Sequence, residues 1–312
     1  MRAAVIHEVG GILQLEDLPD PVPASGEVLV DITHASVNPL DIWVTRGAPG
    51  TAAKNLPWIP GTEAAGMHNG LPVLVRGGGI GVIRQGLYAT RAAVPTSCLL
   101  ELPEGTDPIA AAGVGVAGIT AWHCVHTRGG CTAADRVLVL GASGGVGSFA
   151  VQIAKATGAT VWGQTTNAAK AEGVTAHGAD RVVVAEADAL LEAAADLKPT
   201  VVIDGLGGTF TVASVNLLEN LGRLVLYGAS ASDDIPLSSR GFYRKGLTLL
   251  GYSGLVETPQ QSAVVLGDLL GQVRSGALSV PTQVLPLSAA ADAHRRILAR
   301  EVEGKLVLDT NA

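Results

Sequence analysis

Aromatic residues make up only 4% of this 312-residue chain, and cysteine occurs three times. With so few large rings, and with 40 glycines beside abundant Ala, Val and Leu, the apolar mass suits helices packed closely on parallel strands better than a β-sandwich. Cys98, Cys124 and Cys131 give neither an even disulfide framework nor a Cys-x-x-Cys pair, which fits reduced thiols in a reducing compartment. Positive charge is short as well. Against 28 Asp and Glu stand 21 Lys and Arg, a net charge of -7 at pH 7, so no basic face is available for a phosphate backbone and nucleic acid is excluded as a main partner. Long apolar runs are missing. Residues 1–8 meet charge before any hydrophobic stretch develops, unlike a secretory leader, and 109–122, the most apolar segment, reads as too short and too glycine-rich to cross a bilayer. The expectation is a cytoplasmic protein without a membrane partner that acts on a small molecule.

What is present is length and hydrophobicity: 47% of the residues are hydrophobic, and 312 residues exceed one ordinary domain, so two domains are expected. The first third alternates strand-like runs (2–7, 11–15, 27–36, 73–75, 86–89 and 99–100) with prolines and the glycine cluster 77–81, which predicts a partly open barrel. From Asp107 the chain turns Ala-rich and helical. Residues 135–140 then form a compact apolar strand running straight into glycines. Further strand candidates at 160–163, 181–184, 201–204, 223–227 and 247–250 are spaced for crossover helices, the pattern of a parallel, doubly wound sheet. A helix over 259–275, a strand at 284–287, a helix over 289–300 and a last strand at 305–308 are predicted to return to the first domain. No repeat or low-complexity linker intervenes, so both boundaries are expected to be tight crossings.

After Leu140 stands Gly141-Ala142-Ser143-Gly144-Gly145-Val146-Gly147, and Val146, Ala150, Ile153 and Thr157 continue at helical spacing. A tight turn between strand and helix, with backbone open to a pyrophosphate and free amides at the helix start, is what a dinucleotide needs. This is a Rossmann signature, although Ala142 stands where the first glycine of Gly-x-Gly-x-x-Gly would be. A close helix–strand crossing that binds nothing would use the same glycines. About twenty residues on, a carboxylate would hold the ribose 2'-hydroxyl of NAD, but residues 163–170 offer none. Thr165, Thr166 and Asn167 instead supply polar groups for a 2'-phosphate and Lys170 can neutralise it, which selects NADP(H) on electrostatic grounds. An ordinary exposed helix lysine is the other reading of Lys170.

Six segments extend the pattern: Ser36-Val37-Asn38-Pro39-Leu40-Asp41, Pro60-Gly61-Thr62-Glu63-Ala64-Ala65-Gly66, Ala117-Gly118-Ile119-Thr120-Ala121-Trp122, Gly144-Gly145-Val146-Gly147-Ser148-Phe149-Ala150-Val151-Gln152, Asp204-Gly205-Leu206-Gly207-Gly208 and Gly304-Lys305-Leu306-Val307-Leu308. Through them the chain resembles, nearly end to end, the zeta-crystallin-like, zinc-free quinone oxidoreductase branch of the medium-chain dehydrogenase/reductase superfamily. The resemblance implies an α/β protein in which a GroES-like catalytic domain (1–117 and 256–312) flanks a Rossmann NADP(H)-binding domain (118–255). It also implies a homodimer paired through Rossmann edge strands, here at 247–252. Gly205, Gly228, Tyr252 and Ser253 join the cofactor-binding set. Asn38 is implied to contact the nicotinamide ribose or the substrate oxygen, with Asp41 ordering its loop and Thr120 facing the cofactor. Asn38 before Pro39 also suits a turn, Asp41 a helix cap, and Tyr252 simple packing. Zinc-dependent relatives carry a Cys in the Asn38–Asp41 segment and a His beside Glu63; neither is present, nor is a four-cysteine lobe, so no metal is expected. His34 and His68 read as structural. Between Gly66 and Gly86 the chain is shorter than the family pattern, with Met67-His68-Asn69-Gly70 in place of a longer excursion.

Without a metal to polarise a carbonyl, the acceptor must already be electrophilic. A quinone meets that condition; so does an α,β-unsaturated carbonyl or thioester, which makes an enoyl or enone reductase the alternative. A non-catalytic NADPH-binding protein is the reading from another class.

Overall fold

The computed structural model describes residues 1–51 and 55–312, and the chain separates into two compact units, one of Met1–Val116 with Leu255–Ala312 and one of Ala117–Gly254. In the first unit, β1 (Arg2–Val5) and β2 (Gln14–Asp17) form an antiparallel pair. The long β3 (Glu27–Val37) leads at once into α1 (Pro39–Thr45). Proline at the first helical position has its φ preset, and Asp41 Oδ2 accepts the Asn38 backbone amide at 2.7 Å, so the helix start is fixed by its own sequence. β4 (Glu63–His68) and β5 (Leu71–Arg76) pair around Asn69 and Gly70, whose φ values of 51° and 79° make a two-residue hairpin turn. That turn is how the shortened segment closes. β6 (Arg91–Pro95) and β7 (Leu99–Glu101) follow.

The helix α2 (Pro108–Trp122) continues as a π-helical turn over His123–Arg128. The second unit then alternates β8 (Arg136–Val139), α3 (Gly145–Ala156), β9 (Thr160–Thr165), α4 (Ala171–Ala176), β10 (Arg181–Val184), α5 (Ala187–Ala193), β11 (Val201–Asp204), α6 (Gly208–Leu217), β12 (Arg223–Leu226), α7 (Ser239–Arg244) and β13 (Thr248–Gly251). Its six strands are all parallel in the order β10-β9-β8-β11-β12-β13. Chain direction across the sheet reverses between β8 and β11, and beyond the carboxyl ends at such a reversal the fold leaves a crevice. Leu138, Leu140, Val202, Phe210 and Leu224 build a core on this sheet.

The chain then returns to the first unit with α8 (Pro259–Ser275), β14 (Thr282–Pro286), α9 (Ala290–Leu298) and β15 (Lys305–Asp309). There a seven-stranded sheet runs β14-β15-β3-β4-β5-β7, with β6 also on β3. The last strand therefore lies inside a sheet whose first strand in the chain is β3, and Val30, Ile32, Val75, Tyr88, Leu306 and Leu308 share one core. The architecture is α/β as predicted, with the Rossmann-type parallel sheet in the second unit; the first unit, expected as a partly open barrel, contains a seven-stranded mixed sheet and a separate two-stranded one.

Several elements differ from the sequence expectation. The strand expected at 11–15 lies at Gln14–Asp17, and 86–89 is no strand, although Tyr88 donates its amide to Pro60 O and accepts from Ala4 N. β4, β6 and α1 were not expected. The apolar helix expected to be too short for a bilayer runs 21 residues, Pro108–Arg128, because the π-helical turn prolongs it; it has the length and composition of a membrane span, and most of its apolar stretch is buried inside the protein.

Candidate active site

At the carboxyl end of β8, Gly141 takes φ of 62°, and the turn bonds back on itself where Gly144 N donates to Gly141 O at 3.0 Å. A Cβ on Gly147 would lie 2.2 Å from Gly141 O, so only glycine lets α3 start this close to the turn. The first intrahelical bond there is Ser148 N to Gly144 O, which leaves the amides of Gly145, Val146 and Gly147 without an acceptor inside the helix. Such amides with the positive end of the helix dipole attract an anion. Ala142, the departure from the glycine spacing, is accommodated by Gly163 opposite: a Cβ there would stand 2.9 Å from the Ala142 Cβ.

The other expected cofactor residues fall on the carboxyl rim of the same sheet. Ser143 Oγ lies 3.3 Å from Thr165 Oγ1, Thr166 and Asn167 are exposed, and Asn167 Oδ1 accepts the Ala169 amide at the start of a short turn that contains Lys170. Gly205 and Gly228 follow β11 and β12; a Cβ on Gly205 would collide with the Tyr227 ring. After β13, Tyr252 is buried and stacks on His123 (centroids 5.1 Å apart, planes at 19°), while Ser253 is exposed. Thr120 is buried in α2 within this unit. Among the described residues no carboxylate stands in the segment from Gly163 to Lys170.

In the first unit, Asn38 and Asp41 belong to one buried polar network. Lys305 Nζ donates to Asn38 Oδ1 at 2.5 Å, to Glu63 Oε1 at 3.3 Å and to Val37 O at 3.4 Å. Asn38 Nδ2 donates to Glu63 Oε1 at 2.9 Å and to Thr62 Oγ1 at 3.4 Å. Both polar ends of the Asn38 amide are thus engaged within the protein, and the ligand contact implied by resemblance would require exchanging one of them. Glu63 Oε2 accepts the Val116 amide, which ties α2 to the network, and Gly115 is glycine because a Cβ would lie 2.2 Å from that oxygen. Tyr88 OH donates to Asp41 Oδ2 at 3.0 Å. Burial pushes the Asp41 carboxyl up to about 6, against the pull of the Asn38 amide, and burial also raises the Tyr88 phenol well above its ordinary value. Lys305 is 3% exposed and Glu63 0%, so this is a cation held among oxygens in the protein interior.

Residues 145–266 match the family described as zinc-binding dehydrogenase. The quinone oxidoreductase of Sus scrofa is 29% identical over 327 residues, covering 99% of this chain and 97% of the relative. The solved quinone oxidoreductase of Thermus thermophilus, described alone and in complex with NADPH, is 31% identical, with a TM-score of 0.86 over 99% of this chain and 100% of that one. This chain belongs to the medium-chain dehydrogenase/reductase superfamily, in its quinone oxidoreductase-like branch. A mycocerosic acid synthase-like polyketide synthase of Mycobacterium tuberculosis is also 29% identical over 306 residues; the match covers 92% of this chain and 14% of that much longer relative.

The family description implies a zinc ion, and the donor set here does not fit one. Asn38 and Thr62 carry neutral oxygens and an amide, Glu63 is already paired with an ammonium, and among the described residues no three His, Cys, Asp or Glu side chains stand together as ligands. Burial raises the thiols of Cys124 and Cys131, the latter to about 12, which keeps them protonated and poor ligands. Sequence reasoning passed over Lys305, Tyr88 and Gln164, and gave Glu63 no role. A lysine opening an apolar strand and a glutamine inside one were the available signals.

Proposed function

We propose that this protein reduces a quinone with hydride from NADPH and works without zinc. The observation that carries the proposal is the turn at 141–147 together with a carboxylate-free rim at Thr165 to Lys170. First-turn amides of α3 would hold the pyrophosphate, Asn167 and Lys170 the 2'-phosphate, and an aspartate or glutamate that would repel it is lacking. NADPH supplies the hydride when bound; with one proton it converts quinone to hydroquinone. Asn38 and Asp41 of the first unit and Thr120 of the second are assigned to the reacting end by the resemblance; within the first unit, Lys305 fixes the Asn38 amide in a buried network. Among the described residues no three His, Cys, Asp or Glu side chains stand together to hold a Lewis-acidic metal, so this reading calls for an acceptor that is already electrophilic.

A relative named as a probable acrylyl-CoA reductase of Escherichia coli, 25% identical over 325 residues, supports one other reading, reduction of an α,β-unsaturated thioester. Fluorescence titration with NADPH and NADH, then NADPH oxidation against quinones and enoyl thioesters, separates them. Preferred NADPH binding that weakens about tenfold in Lys170→Ala while NADH binding is unchanged, with quinone turnover, supports the proposal. Turnover of enoyl thioesters alone transfers the assignment to them, and absence of nucleotide binding refutes both.

We also assign a cytosolic homodimer joined through β13, the edge strand of the parallel sheet, where Leu249 is 40% exposed. We assign Pro108–Arg128 to the protein core rather than to a bilayer, and give the protein no nucleic-acid partner. Sedimentation at twice the 31.6 kDa chain mass is the expected result for the dimer.

A further inference from the structure

We infer that Gln164 is the positioning residue of the dinucleotide turn, a role that rests on the NADP(H) reading above. Gln164 lies near the end of β9 and is 0% exposed. Three of its polar atoms reach outward to two different loops. Its backbone oxygen accepts the Ala142 amide at 2.8 Å, its Oε1 accepts the Gly141 amide at 2.9 Å, and its Nε2 donates to Ala185 O, just beyond β10, at 2.7 Å. One residue therefore satisfies two successive amides of the turn and is itself held from the far side. The amide orientation is dictated by its partners, since the oxygen faces an N–H and the nitrogen faces a carbonyl.

The chain of support runs from Gln164 to Gly141 and from there to the helix. Gly141 O takes the Gly144 amide and packs where a Gly147 side chain would be. A shift of Gly141 would thus shift the first turn of α3, whose amides are the anion site. Thr165, the next residue after Gln164 on β9, lies 3.3 Å from Ser143 of the same turn, so two neighbouring residues of β9 meet the turn. Gln164 is buried, and its polar atoms are turned to Gly141, Ala142 and Ala185. Its loss should raise the dissociation constant for NADPH and leave turnover at saturation nearly unchanged.

The test uses the full chain with two variants. Gln164→Glu keeps the shape and the acceptor for Gly141, but can donate to Ala185 O only as the protonated acid, which burial favours. NADPH affinity, expressed relative to wild type at each pH, should be close to one at pH 5.5 and fall at least tenfold by pH 8. Gln164→Met, which can neither donate nor accept in the same way, should be weak at both pH values, with kcat at saturating NADPH within about twofold of wild type. If Gln164→Met does not fold, the pH dependence of the glutamate variant decides. Wild-type-like affinity of Gln164→Glu at both pH values, or a loss independent of pH, overturns the inference while leaving the NADPH reading intact. Failure of the wild type itself to bind NADPH would instead overturn the reading on which the inference stands.

Discussion

Tyr88 stands between two buried titratable groups whose shifts oppose one another: its hydroxyl bonds Asp41 and its ring lies 5.8 Å from that of His294. An acid raised from 3.8 to about 6 in the fold holds a proton that the unfolded chain has released, so its contribution to stability falls as pH rises through that window. Burial, with the Arg46 charge adding, pushes His294 down from 6.5 to about 4; it stays neutral where the unfolded chain is charged, and its contribution rises with pH between those values. Each amounts to about 2–3 kcal/mol at roughly 1.4 kcal/mol per pH unit, and the two nearly cancel. Denaturant unfolding at pH 4, 5.5 and 7 should show it. Asp41→Asn should match wild type at pH 4 and exceed it by about 2 kcal/mol at pH 7, whereas His294→Gln should match at pH 7 and gain at pH 4. Parallel profiles for all three proteins would contradict the assignment. The Lys305–Glu63 pair answers to a different experiment. Lys305→Met leaves a carboxylate unpaired at 0% exposure and should lose about 3–5 kcal/mol. Adding Glu63→Gln should restore most of that loss, a coupling that a purely packing role for Lys305 would not produce.

Two helices make the same substitution with opposite sign. In α2, Gly115→Ala sets a methyl 2.2 Å from Glu63 Oε2 and should cost about 2–4 kcal/mol despite its better helix propensity, since it disrupts the bond that Glu63 receives from Val116. In α8, Gly267 and Gly271 have nothing within 4 Å of an added Cβ, and replacing each by Ala should gain about 0.5–1 kcal/mol. Thermal unfolding of the three variants reads both signs. The contrast between these helices parallels what sequence could and could not foretell. The range 259–275 of α8 was legible because Thr258 caps it, Pro259 opens it and Gly276 closes it at φ of 76°, all local signals. β10 and β11 were legible as short apolar runs. β4 was not, because Glu-Ala-Ala-Gly-Met-His has no β-branched residue and is a strand only through pairing with β3 and β5; a Cβ on its Gly66 would meet Asp31 O at 2.4 Å. The site divides in the same way. The glycine turn is a local feature seven residues long, whereas Lys305 and Asn38 meet across 267 positions and no spacing rule connects them.

At the scale of the molecule, the order of the chain and the order of the sheet disagree, and that has a consequence for stability. β15, the last strand, is not at an edge; it lies between β14 and β3 and pairs with both. Leu306, Val307 and Leu308 are each 0% exposed, and Lys305 completes the buried network. At about 1.5–3 kcal/mol for each buried aliphatic side chain, the three represent on the order of 5–9 kcal/mol, comparable with the whole stability of a domain. The second unit owes nothing to this strand for its sheet: its six strands come from one continuous stretch, Ala117–Gly254. A chain truncated after Gly304 should therefore lose the first unit and keep the second. Limited proteolysis with mass spectrometry should yield a resistant fragment close to 117–254, while residues 1–116 are digested. Survival of the N-terminal segment would mean that β3 to β7 hold without the returning strand. Loss of both units together would mean that the parallel sheet depends on the discontinuous one, and that the two fold as a single cooperative body despite their separate cores.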